Sequence, residues 1–146
     1  MLKLVVFICG AVVMIFELVG SRMLGPYFGT SIFVWTSLIG IILGSLSVGY
    51  YIGGKLADQK PIIHYLSSII FLAALSIFFA LLIKDPLLVF LRNITLNDKI
   101  GSVFASIFLF FPASMLLGMV SPYAVILTLH NLTTSGSTAG NLYDLS

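Results

Sequence analysis

The stretch Ser31–Gly54, SIFVWTSLIGIILGSLSVGYYIGG, runs about 24 residues before the first charge at Lys55. At a rise of about 1.5 Å per residue, a helix of that length reaches about 36 Å, enough to cross a hydrocarbon core about 30 Å thick. Its small residues are evenly placed. Gly40 and Gly44 form one pair four apart, and Ser45, Gly49 and Gly53 form a second ladder beside it. Residues four apart share a helix face, so both ladders allow a neighbouring backbone to come close where lipid gives no hydrophobic drive to associate. This helix is therefore expected to be the hub on which the rest of the chain packs.

Three further apolar runs accompany it, giving spans at about Leu4–Met23, Ser31–Gly54, Ile62–Ile83 and Ser102–Leu129. Sixty per cent of residues are hydrophobic and 8% are charged, against about 25% charged in a soluble domain. With a mean hydropathy of +1.17, the medium around this chain must be lipid. The expected fold is a single all-α polytopic membrane domain over residues 1–146 with four transmembrane helices. Lys3 ahead of an apolar run resembles a secretion signal, but Glu17 interrupts that run and no small-residue cleavage site follows. The first helix is read as retained. A net charge of +2 gives no reason to expect a nucleic acid as partner. The lone Cys9 lies in an apolar run and is read as a packing residue.

The connections are uneven. Leu24–Thr30, with Gly25-Pro26 and Gly29, reads as a tight turn that makes the first two spans an antiparallel hairpin. Tyr27, Phe28 and Trp35 suit the lipid–water boundary there. Lys55–Pro61 is a short charged loop. In the longer Lys84–Gly101 segment, Asp85-Pro86 reads as an N-cap and first helical residue. Leu87, Leu88, Phe90, Leu91 and Ile94 then share a side, so either a short helix on the membrane surface, with Arg92 at its wet edge, or a plain loop is expected. In the last span Pro112 and Pro122 each remove a backbone donor and Gly118 adds slack, which predicts kinks. Gly136 and Gly140 hint that helix resumes in the polar tail. Charge does not orient the chain: Lys3, Lys55 and Lys60 on one side face Arg22, Lys84, Arg92 and Lys99 on the other.

Few residues offer chemistry. Glu17 is the acidic residue well inside a span, where a charge costs about 2.5–3.5 kcal/mol on insertion scales and calls for a partner. Arg22 is near in sequence, but five residues place it about 140° around the helix. Glu17 reads either as a cation or proton site, or as a polar clasp of the first hairpin through Ser31, Thr36, Ser37 and the Gly25–Gly29 backbone. Arg22, Trp35 and Asp58 are the accompanying polar or aromatic candidates. A kink at Pro112, Gly118 and Pro122 can turn carbonyls towards a cavity, as broken transporter helices do. His64 and His130 lie near span ends and read as interfacial. No cluster has metal-ligand spacing, no strand leads into a glycine-rich phosphate loop, and no nucleophile–base pair stands out. The residues thus predict no catalytic group, no cofactor and no metal, and a chain that is not an enzyme by itself.

GAVVMIFELVGSRMLGPYFGTSIFVWTSLIGIILGSLSVGYYIGGKLAD (Gly10–Asp58), LLGMVSPYAVIL (Leu116–Leu127) and GSTAGNLYDLS (Gly136–Ser146) resemble the membrane half of fused transporter/spermidine-synthase-like proteins. The most specific pieces are M-x-x-E-x-x-G-S-R at Met14–Arg22, P-Y-F-G at Pro26–Gly29, Trp35, and G-M-V-S-P at Gly118–Pro122. The resemblance implies a noncatalytic membrane module that anchors, or passes substrate to, a cytosolic aminopropyltransferase-type domain. That domain and further membrane helices follow in the family and are absent from this sequence. Gly54-Lys55-Leu56-Ala57-Asp58 is also similar to the G-x-L-A-D loop of major-facilitator transporters, without its basic continuation and with Pro61 intervening. It implies a cytoplasmic N-terminus, and the family implies a bacterial or archaeal plasma membrane. Two other readings stay open. One is part of a transporter for a small cation such as a polyamine, with Glu17 as counter-charge. The other is a structural subunit that joins a second copy or other membrane helices through its glycines.

Overall fold

A computed structural model describes residues 2–59, 62–94 and 97–143, with side chains described among those between 4 and 129 except at Asp98. Four helices follow one another: α1 (Leu2–Phe28), α2 (Ile32–Gln59), α3 (Ile63–Ile94) and α4 (Asp98–Tyr143). Each is long and apolar enough to cross a membrane, and no strand occurs among the described residues. The chain is an all-α, four-helix membrane fold. Cross-contacts fix the alternation. Tyr27 meets Asp85 and Lys99 meets Phe33 at one end, while Tyr123 meets Ile62 at the other. Hence α1 and α3 run one way, and α2 and α4 the other.

The helices overrun the expected spans, and their ends show why. Gly25-Pro26 does not turn the chain. Pro26 removes a single donor, to the Arg22 carbonyl, and α1 continues to Phe28. The turn is made by Gly29, whose φ of 79° lies in the left-handed region open to glycine and whose N–H donates to the Gly25 carbonyl at 2.9 Å. Asn97 starts α4: its carbonyl accepts from the N–H groups of Ile100 and Gly101, and its side-chain oxygen from that of Lys99.

The separate surface helix after Asp85-Pro86 does not form. α3 continues unbroken to Ile94. Part of the side expected to lie on the membrane packs within the protein instead: Leu88 is fully buried in a cluster with Phe28 and Ala105, and Leu87 and Leu91 lean on it, while Phe90 and Ile94 stay exposed. Pro112 and Pro122 likewise leave α4 continuous, and Gly136 and Gly140 fall in the same helix rather than in a resumed one. Lys60, Pro61 and the last residues of the GSTAGNLYDLS stretch, 144–146, lie outside the described residues, as do the side chains from His130 onward.

The hub is α4, not α2. Of its most apolar stretch 56% is buried, against 28% for α2 and 17% each for α1 and α3. Two adjacent ladders of mostly small residues account for this. Gly101, Ala105 and Ala113 lie on one, and Ser102, Ser106, Ser114 and Gly118 on the other, all buried. Around Met115, Gly118 and Met119 the Ser45–Gly49–Gly53 ladder of α2 comes close. A Cβ at Gly49 would run into the Met115 carbonyl, and one at Gly53 would lie 2.6 Å from the Met119 Cα. In return, a Cβ on Gly118 would sit 2.9 Å from the Leu46 carbonyl oxygen. The parallel helices α2 and α4 thus meet backbone to backbone. The other ladder does not take part: a Cβ added at Gly40 or Gly44 would meet nothing of another helix within 4 Å.

The remaining helices close two clusters. Near the α1–α2 turn, Phe16, Leu24 and Leu38 pack with Leu109 and Phe110, with the rings of Phe16 and Phe110 edge to face at 4.9 Å. Nearer the opposite end, Cys9, Leu66 and Ala73 gather around Val120 and Tyr123. Cys9 is a buried packing residue, as its apolar surroundings suggested.

Candidate functional site

Between α1, α2 and α4 lies a cavity of about 260 Å³. Glu17 opens into it from α1, beside Met14, Val13 and Gly10. From α2 come Leu43, Leu46 and Tyr50, and α4 supplies the floor with Leu117, Gly118, Val120 and Ser121. The cavity exists because α1 packs on α4 around Phe16 and Gly20, where a Cβ would come within 2.7 Å of the Phe110 ring. Glu17, next along the helix from Phe16, is carried to the edge of that contact and stays part-buried.

Among the described residues, the expected clasp is not made. Thr36 donates its hydroxyl to the Ile32 carbonyl and Ser37 to the Val34 carbonyl, each within its own helix. Arg22 is exposed and shares a separate groove, of about 590 Å³, with Ser21, Gly25, Pro26, Thr30 and Trp35. Asp58 is exposed at the far end of α2. The four polar and aromatic candidates therefore occupy three places: Glu17 in the cavity, Arg22 with Trp35 in the groove, and Asp58 at the bundle end. Among the described residues, Glu17 has no ion pair; the ion pair that forms joins Lys84 and Asp85 at 3.3 Å.

The cavity is rich in acceptors. Pro122 has no N–H, so the Gly118 carbonyl loses its intrahelical donor, and Gly118 lines the same cavity as the Glu17 carboxyl. The hydroxyls of Tyr50 and Ser121 add two groups that can accept or donate. The other proline gives no such site. Pro112 faces an apolar cleft between α3 and α4, lined by side chains such as Leu72, Phe79 and Phe108. Among the described residues, no three His, Cys, Asp or Glu side chains come together as metal ligands would.

Two polar contacts across helices were not foreseen. The buried Tyr123 donates its hydroxyl to the Ile62 carbonyl at 3.0 Å and accepts from the Ile62 N–H at 3.2 Å. It fastens the start of α3 to α4. At the other end Tyr27 donates to an Asp85 carboxylate oxygen at 3.1 Å, joining α1 to α3. An inward tyrosine one residue after Pro122 was the available signal for the first; for the second, a tyrosine and an aspartate both sat at predicted helix ends.

Most residues of the quoted motifs have packing duties here. Gly20 admits the Phe110 ring, Ser21 bonds back to the Leu18 carbonyl, Phe28 covers Gly101, and Gly29 makes the turn. Glu17 stands apart, with a cavity before it. No protein-family model, no curated protein and no solved structure matches the chain.

Proposed function

We propose that the chain is a noncatalytic membrane module of a spermidine-synthase-like, polyamine-related protein, serving an aminopropyltransferase-type domain on the cytoplasmic side. The observation that carries this reading is a convergence. Met14 and Glu17 of M-x-x-E-x-x-G-S-R share one cavity with Gly118, Val120 and Ser121 of G-M-V-S-P, although about 100 residues separate the two motifs. Stretches picked out by resemblance alone would have no reason to meet; parts of one functional unit would.

The alternation of the helices supports the proposed arrangement. It puts the start of α1, the α2–α3 connection with Lys55 and Asp58, and the outgoing end of α4 on the same side. We assign that side to the cytoplasm, so a domain joined after α4 would stand beside the G-K-L-A-D stretch. Two measurements test the reading. The native polypeptide, or a partner purified with it from its source membrane, should carry an aminopropyltransferase-type domain; a 15.8 kDa chain isolated without one overturns the proposal. A cysteine placed at Asp58 in a Cys9→Ala background should resist a membrane-impermeant maleimide applied to intact cells and react after permeabilisation. Labelling from outside would reverse the orientation.

A further inference from the structure

We infer that the Glu17 cavity binds the ammonium end of a small aliphatic amine. The inference goes beyond the module reading and does not need an attached domain. Its first support is polarity. The cavity is lined by Glu17 with its carboxyl, by Gly118, whose carbonyl has no intrahelical donor at Pro122, and by Tyr50 and Ser121 with their hydroxyls. Among the described residues, no lysine, arginine or histidine lines it. Such a set favours a guest that donates several hydrogen bonds and carries positive charge. An ammonium group does both, with three donors.

The second support is the wall. Apart from those groups and the Cys9 thiol the lining is apolar, from Val13, Met14 and Leu43 to Leu46 and Leu117. A hard metal ion takes six or more oxygen ligands and gains nothing from an alkyl wall. One carboxyl and three neutral oxygens fall short of such a shell, while an alkyl chain leaving the ammonium lies naturally along these side chains. The third support is size. A volume of about 260 Å³ accepts a chain of a few carbons and lies below the range typical of drug-sized ligands, about 300–1,000 Å³. With a single carboxyl, the cavity pairs with one ammonium; a second charge on the same guest would meet the aliphatic wall.

The test uses the full chain in lipid nanodiscs and radiolabelled n-butylammonium as probe. Saturable binding near one per chain is expected, with little displacement by an equal concentration of sodium. Glu17→Gln should weaken binding at least tenfold, and Ser121→Ala by a few-fold. Gly10→Leu supplies a control that keeps the carboxyl. Gly10 lines the cavity and has nothing within 4 Å of where its Cβ would stand, so a leucine there fits the helix, fills the space and should block the probe. If Glu17→Gln does not fold, Gly10→Leu decides alone. Absence of saturable binding in the wild type, or wild-type affinity in the folded variants, overturns the inference. Neither result touches the purification test for an attached domain.

Discussion

α2 carries two glycine ladders that look alike in the sequence and behave oppositely in the fold. Ser45, Gly49 and Gly53 lie against the backbone of α4, so close that a methyl group at either glycine meets main-chain atoms. Gly40 and Gly44, with the same spacing, stand on the outer face with open space around them. The difference does not arise in α2. It comes from the helix opposite, where Gly118 leaves room for a close approach. Small-residue spacing states that a face can be approached; the neighbour's own small residues decide which face is.

The sharpest way to break this contrast is Gly53→Leu. The obstacle is backbone, which cannot rotate aside, so a loss of about 3 kcal/mol, the top of the usual range for overpacked sites, is expected. Thermal unfolding in detergent would register it, and a cysteine crosslink between α2 and α4 should weaken in parallel. A wild-type melting curve would mean that the seam is looser than described. Next comes Tyr123→Phe, which leaves the Ile62 N–H and carbonyl without this partner and should cost about 1–2 kcal/mol. The same unfolding assay reads it, with faster hydrogen exchange confined to the start of α3.

Ser114→Ala sharpens the comparison from within the seam. The Ser114 hydroxyl is buried with no hydrogen-bond partner among the described residues. Its removal should leave stability unchanged or raise it by up to about 1 kcal/mol. A clear loss would show that this hydroxyl is satisfied after all. The smallest effect belongs to the bare ladder: Gly44→Ala should move the unfolding midpoint by the equivalent of no more than about 0.5 kcal/mol. A large change there in the monomer would contradict the open surroundings of that face.

The four crossings were legible because each is a long apolar run, and that signal needs no knowledge of neighbours. The hub was not. Glycines made α2 conspicuous, whereas the small residues of α4 are largely serines and alanines in a span whose two prolines predicted kinks. Asp85-Pro86 misled for a related reason. A proline can open a helix or sit inside one at the loss of a single hydrogen bond, and the burial of Leu88 decided for the interior. Glu17 could be recognised as unusual from its charge alone. That it faces a cavity rather than Arg22 or the turn depends on the contact of Phe16 with Phe110, from another helix about 94 residues away, which no local pattern contains.

The parallel course of α2 and α4 has a consequence for biogenesis. Parallel neighbours cannot be successive, so α3 must cross the bilayer and return before this backbone-to-backbone contact can be made. Gly49 and Gly53 meet Met115 and Met119, about 66 residues further along the chain. A ribosome delivering this protein therefore releases α1 and α2 as a hairpin whose best binding face is still unoccupied, and the face waits in lipid until α4 emerges. The joint between Gly49, Gly53 and α4 forms only once α3 has crossed and returned.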